Sequence, residues 1–215
     1  MMRTQEQTLT LVDVFRPKSL DHAWVYDVGV VAIGSLVIAL FAQIVYFLPW
    51  TPVPITGQTF AVLLIAAMLG SKRGTACVVL YLAEGGLGLP FFAGGTSSFA
   101  IFATSAGLAT TGGYLIGFIP AAFVTGWLAE RGWDRNLVTT LVAMLIGNFV
   151  IYSVGVPWLA IALPASYAAE NGGIWAIGLI PFILGDISKI VLATLILPSG
   201  WQLLNYLKSG NSKNK

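Results

Sequence analysis

Ile174–Leu184 is uncharged, Gly185-Asp186-Ile187-Ser188-Lys189 follows, and Ile190–Leu207 is uncharged again. An acid and a base therefore sit together in the middle of a long apolar run. In a bilayer each charge costs on the order of 2.5–3.5 kcal/mol unless it pairs or faces a polar cavity. Asp and Lys three residues apart share one helix face and can relieve each other. Two readings follow: a neutralising structural pair, or one acceptor and one cation offered to a small anionic ligand.

The rest of the chain makes the bilayer unavoidable. Of 215 residues 57% are hydrophobic and only 9% charged, where soluble domains carry roughly 25% charged residues. Mean hydropathy is +0.83. The uncharged runs Val28–Ser71, Gly74–Ala83, Gly85–Ala129 and Asn136–Ala169 are too extensive for soluble cores, and a span of about 20 residues requires them to fold back several times. Cys77 is the single cysteine and His22 the single histidine. That excludes a disulfide framework and offers no metal set.

The expected architecture is an all-α integral membrane protein with six transmembrane helices. Residues 1–215 form one membrane domain: a cytoplasmic arm at 1–24, a six-helix bundle at 25–207 and a tail at 208–215. Span 1 is expected over Asp27–Leu48, with Ala32, Ser35 and Ala39 on one small-residue stripe. Such a stripe lets another helix approach, either inside the chain or from a partner subunit. Pro49–Pro54 breaks the helix, and span 2 follows to Gly70, with Thr56 as a cap and Gln58 an amide needing a partner. Ser71-Lys72-Arg73-Gly74 reads as a tight turn into span 3, Thr75–Gly88. Glu84 near its far end reads as an interfacial charge reaching water. Leu89–Ser98 is a loop of small and aromatic residues, in which Gly94 and Gly95 permit close backbone approach to a ligand. Span 4 opens at Thr110–Tyr114 and ends near Trp127, and span 5 covers Leu137–Val156, with Asn148 and Tyr152 one turn apart and Trp158 just beyond. Span 6 starts at Ile174 with a kink at Pro181, or at Pro181 itself; Trp201 and Tyr206 then mark the interface.

All of the eleven Lys and Arg residues except Lys189 fall in the ends or in the two short turns 71–74 and 130–135. By the positive-inside rule both termini are cytoplasmic, and the three connections with unusual chemistry are outside. Lys189, the exception, is then a candidate ligand group. No Walker A, HExxH or GxSxG pattern is present, so neither ATP-driven transport by this chain alone nor a common hydrolase is expected. No paired half-chains of a secondary transporter stand out. A membrane protein that captures one solute and hands it on is what remains.

Four ordered motifs sharpen this: Pro52-Val53-Pro54-Ile55-Thr56-Gly57-Gln58-Thr59; Gly88-Leu89-Pro90 with Phe92-Ala93-Gly94-Gly95; Thr111-Gly112-Gly113-Tyr114-Leu115-Ile116-Gly117-Phe118; and Gly185-Asp186 with Lys189. Together, across roughly residues 25–200, they resemble the BioY family, the biotin-specific substrate-binding subunits of energy-coupling factor (ECF) transporters. The resemblance implies a six-helix protein of the cell membrane that is not an enzyme and captures biotin from outside. Its implied partners are membrane lipid, a transmembrane coupling subunit that meets Ala32, Ser35 and Ala39, and two cytoplasmic ATPases. No nucleic acid and no cofactor are expected, biotin being the transported ligand. Lys189 would then pair the carboxylate, Asp186, Asn148 and Gln58 would serve the ureido ring, and Trp158, Tyr152 and Tyr114 would wall the thioether ring. Alternatively, Asp186 pairs Lys189 while backbone groups of Gly94 and Gly95 read the ureido. A stand-alone transporter of another small anion or vitamin is the competing function.

Overall fold

The structure, a computed structural model, describes residues 9–105 and 107–212. Arg3, Lys213 and Lys215 of the expected cytoplasmic segments lie outside the described residues. Helices run over Leu20–Ala42 (α1), Gln58–Gly86 (α2), Gly112–Ala129 (α3), Leu137–Ala162 (α4), Ala165–Glu170 (α5), Ile174–Gly178 (α6) and Ile183–Ser212 (α7). Five stretches are long and apolar enough to cross a membrane: His22–Ala42, Gln58–Gly86, Gly112–Ala129, Leu137–Ala162 and Ile174–Ser209.

The second of these is a helical hairpin. Gly70 has φ +84° and ψ 176°, which interrupts the helix in a region open mainly to glycine. A Cβ on Gly74 would lie 2.8 Å from the Ala66 Cα, and the Gln58 amide reaches the Tyr81 hydroxyl, 23 residues on. Only two antiparallel legs, 58–69 and 71–86, bring those positions together, so the chain traverses the bundle six times. The turn is at Gly70, not at Ser71–Gly74. Ser71 opens the second leg, its N–H and hydroxyl donating to Glu130 Oε1 at 2.7 and 2.8 Å. That carboxylate caps the leg's free N–H groups. The first leg, at 1.5 Å per residue, is about 18 Å long, shorter than a typical span.

Other boundaries move for identifiable reasons. α1 begins at Leu20 and includes Asp27, because Arg16 (2.6 Å) and Arg73 (3.3 Å) pair with that carboxylate. It ends at Ala42, because Val45–Tyr46 (β1) pairs antiparallel with Ile55–Thr56 (β2). A second small ribbon joins Ala103–Thr104 (β3) to Gly107–Leu108 (β4). α4 continues through Pro157 to Ala162, and the last span starts at Ile174, the first of the two expected starts, and breaks at Leu179–Phe182, around Pro181.

Glycines set the close packing. A Cβ on Gly117 of α3 would sit 2.9 Å from the Ile151 carbonyl of α4, and one on Gly126 would meet the Gly70 carbonyl carbon at 2.5 Å. On α1, Ser35 and Ala39 are buried and Ala32 half-buried. A Cβ on neighbouring Gly34 would be 2.8 Å from Cys77 Sγ. The small-residue stripe of α1 thus packs within the chain beside α2, with Ala32 its half-buried member. The outward face of α1 carries Val28, Ile33, Leu36 and Leu40, each at least half exposed.

Candidate functional site

The last helix resumes at Ile183, so Asp186 lies in its first turn, where the helix dipole favours a carboxylate. Lys189 is one turn on, its Nζ 3.2 Å from Asp186 Oδ1 and 3.1 Å from Thr59 Oγ1. The Tyr152 hydroxyl donates to Asp186 Oδ2. Both carboxylate oxygens are thus engaged. The lysine side chain is 21% exposed against 6% for Asp186, so the ammonium is the accessible member of the pair.

These residues stand in the wall of a cavity of about 330 Å³, within the roughly 300–1,000 Å³ of small-molecule sites. Pro52–Pro54, Thr56, Gln58 and Thr59 supply the side formed where the first leg of α2 begins. Phe92, Ala93 and Thr96 come from the Gly-rich outer loop; Tyr114, Leu115 and Phe118 from α3; Ile151 and Tyr152 from α4; Phe182 from the break before α7. Among the described residues, none of α1 lines it. Tyr114 and Tyr152 meet edge to face, centroids 6.1 Å apart at 88°, and Phe182 lies 6.5 Å beyond Tyr152. The wall is thus largely apolar and aromatic, with a few placed polar groups.

Hydrogen bonds behind the wall hold it in shape. Tyr114 Oη donates to the Gly178 carbonyl at 2.7 Å and Thr51 Oγ1 to that of Ile177 at 2.7 Å. The α3 start and the Pro-rich segment are thereby tied to the chain entering α7.

Of the residues expected from sequence, Asp186, Lys189, Tyr152, Tyr114, Gln58 and Thr56 converge on this cavity. Asn148 instead lines an adjoining niche of about 10 Å³ with Asp186 and Lys189, roughly room for one water. Its Oδ1 is buried without a partner among the described residues. Trp158 stands off the wall: its Nε1 donates to the Ala109 carbonyl at 2.8 Å, and its side chain fills the space left by Gly113. Gly94 and Gly95 (φ +66° and +77°) turn the outer loop at an exposed position, while Ala93 and Thr96 on either side face the cavity. Sequence reasoning missed Thr59, Phe92 and Phe182. Thr59 lies one residue past Gln58 and was the most findable, being polar in an apolar helix.

A helical bundle enclosing a solute-sized, mostly apolar cavity with an accessible lysine in its wall defines a multi-pass membrane protein that binds a small solute. Comparison with known proteins narrows the class. Residues 9–206 match the BioY family. The chain is 35% identical over 170 residues to the biotin transporter BioY of Rhizobium etli, covering 76% of this chain and 86% of that protein. It is 37% identical over 172 residues to the biotin transporter BioY of Rhodobacter capsulatus, with 74% and 88% covered. The crystal structure of an S-component for biotin from an ECF-type ABC transporter superposes with a TM-score of 0.71, covering 85% of this chain and 94% of that one at 24% identity; it shares the fold. The chain belongs to the BioY family.

Proposed function

We propose that the protein captures biotin from the outer side of the cell membrane and delivers it inward as the substrate-binding subunit of an ECF-type transporter. A coupling subunit and two cytoplasmic ATPases are its partners in this reading, and biotin is cargo rather than cofactor. The observation that carries it is Lys189: a cation, charge-paired on one side and open on the other, in a cavity otherwise walled by aromatic and aliphatic side chains. Biotin matches that distribution. Its carboxylate meets the Lys189 ammonium as a charge-assisted contact, its fused rings meet Tyr114, Tyr152 and Phe182, and its ureido group meets the polar edge formed by Thr56 and Gln58. A site with such buried polar groups rejects analogues that leave them unpaired. Family membership and the names of the relatives at 35% and 37% identity support the same ligand.

Calorimetric titration of the purified protein in detergent tests this, with biotin beside its methyl ester. Biotin is expected to bind tightly and the ester at least about tenfold more weakly, because the ester offers Lys189 no charge. Absence of biotin binding would overturn the reading; equal binding of acid and ester would remove Lys189 from it.

A further inference from the structure

Gln58 is buried, yet lines the cavity. Its side-chain amide has two chemically opposite ends, one accepting and one donating, so what the cavity offers a ligand depends on which end is held where. Tyr81 decides this from behind the wall. It is fully buried and its hydroxyl carries a single proton. The Phe91 carbonyl oxygen, which can only accept, lies 3.2 Å away and takes that proton. Toward Gln58 the same hydroxyl must therefore accept, and Gln58 Nε2 donates to it. The carbonyl end of the amide then sits beside Thr56, whose hydroxyl donates to Oε1 at 2.9 Å and accepts the Gln58 backbone N–H at 3.2 Å. Reversing the amide would set Oε1 against a tyrosine oxygen whose proton is already committed.

The fixed point of this relay is in the outer loop. Phe91 precedes Phe92, which lines the cavity and packs edge to face on the Tyr81 ring, centroids 5.7 Å apart at 86°. Gln43 Nε2, which donates one proton to the Ala39 carbonyl at 3.0 Å, shares its other between the Pro90 and Phe92 carbonyls, each at 3.4 Å. The backbone that commits the tyrosine proton is thus itself pinned over the site.

We propose that Tyr81 is a positioning residue: with its proton committed to the Phe91 carbonyl, it holds the Gln58 amide so that the Thr56–Gln58 edge of the cavity presents an acceptor and takes a ligand N–H rather than a ligand carbonyl. Resting on the biotin reading above, this assigns one ureido N–H to Gln58 Oε1. It also makes ligand recognition depend on the outer loop being in place, although Tyr81 touches no ligand.

Tyr81→Phe keeps the ring against Phe92 and deletes only the hydroxyl. Biotin affinity is expected to fall about tenfold, the worth of one well-made polar contact. Discrimination against biotin methylated on a ureido nitrogen should shrink with it, which a purely structural role would not cause. In a Gln58→Met background, Tyr81→Phe should cost nothing further, because it acts through that amide. An unchanged affinity in Tyr81→Phe, or a loss that simply adds to that of Gln58→Met, would overturn the proposal. The relay is also readable without ligand, from hydrogen exchange of the Gln58 side-chain NH2 in protein labelled with ¹⁵N-glutamine. Protection in the parent and its loss in Tyr81→Phe are expected; equal exchange in both overturns the proposal even if biotin proves not to be the ligand.

Discussion

The two ends of the bundle use polar residues in opposite ways. At the inner end the charges answer one another: Arg73 pairs with Asp13 and Asp27, Arg16 with Asp27, Glu130 with Ser71, and the Trp201 indole N–H with Asp134 at 2.6 Å. Leu9–Arg16 lies across this end, held by those pairs, by Tyr26 Oη on the Val12 carbonyl at 2.7 Å and by Arg135 on the Leu9 carbonyl at 3.1 Å. At the outer end charge is nearly absent, and the polar groups of Thr56, Gln58, Tyr152, Asp186 and Lys189 are gathered on one cavity. A polar group paired within its own chain mainly holds the fold, although Asp134 Oδ1 is buried there without a partner among the described residues; one held in place yet open to a cavity can bind. The inner end is built for the first task and the outer end for the second.

The strongest way to break that contrast is Lys189→Ala. Truncating one member of a buried charge pair costs about 2–5 kcal/mol of binding where the pair contacts a ligand. Biotin affinity by calorimetry should therefore fall by at least about thirtyfold, with a smaller loss of thermal stability from the unpaired Asp186. If affinity stays within threefold of the parent, the outer pair is a structural bridge like the inner ones and the contrast collapses. Arg73→Ala sharpens it from the other side. Two carboxylates lose a partly exposed partner, so we expect a loss of about 1–2 kcal/mol and a Tm lower by roughly 2–8 °C. Biotin affinity should stay within about twofold.

The smallest effect is a dependence on pH at the inner end. Burial raises the Asp134 carboxyl to about 6, against the lowering effect of the Trp201 hydrogen bond. A carboxyl whose folded pKa lies above its unfolded value binds its proton more tightly when folded, so its contribution to stability increases as pH falls from about 6 toward the ordinary value of 3.8. Asp13 acts in the opposite sense. Burial raises it, but hydrogen bonds from Thr10 and Arg73 outweigh that and leave it below its ordinary value, so its stabilisation is present above the ordinary range and is lost only in stronger acid. Between pH 7 and 5, then, Tm should rise through Asp134. Asp134→Asn should flatten that slope while leaving biotin affinity unchanged; a parental Tm that is flat or falls between pH 7 and 5 would contradict the assignment.

Much of this was legible in the chain because its signals are local. Apolar runs of span length, basic residues confined to the ends and two turns, and an Asp and Lys three apart specify the membrane class, the orientation and a shared helix face without reference to any distant residue. The hairpin was harder. Ser71-Lys72-Arg73-Gly74 carries every mark of a turn, yet the reversal occurs one residue earlier, because Gly70 adopts a positive φ and Glu130 caps the residue after it. Trp201 looked like an interface marker and is instead buried, bonded to an aspartate 67 residues away.

Site residues divided along the same line. Asp186 and Lys189 stand out in the sequence because a charged group in an apolar run is costly and calls for a reason. Tyr81 and Phe182 resemble ordinary membrane-helix residues, and their roles depend on what lies opposite. Trp158 packs on Gly113 and donates to the Ala109 carbonyl, while Gly94 and Gly95 turn the loop beside the cavity; both placements depend on how distant segments meet.

By itself the sequence determined that the chain is a multi-pass helical membrane protein and which helix carries the buried charges, because hydrophobicity, periodicity and charge placement act over a few turns. Only the tertiary structure decided that Lys189 meets Thr59 across 130 residues, that Asp186 meets Tyr152 across 34, and that Tyr81 bridges Gln58 to the outer loop. Those meetings depend on how closely glycine-lined helices approach and where the loops turn, which no short stretch of the chain encodes alone.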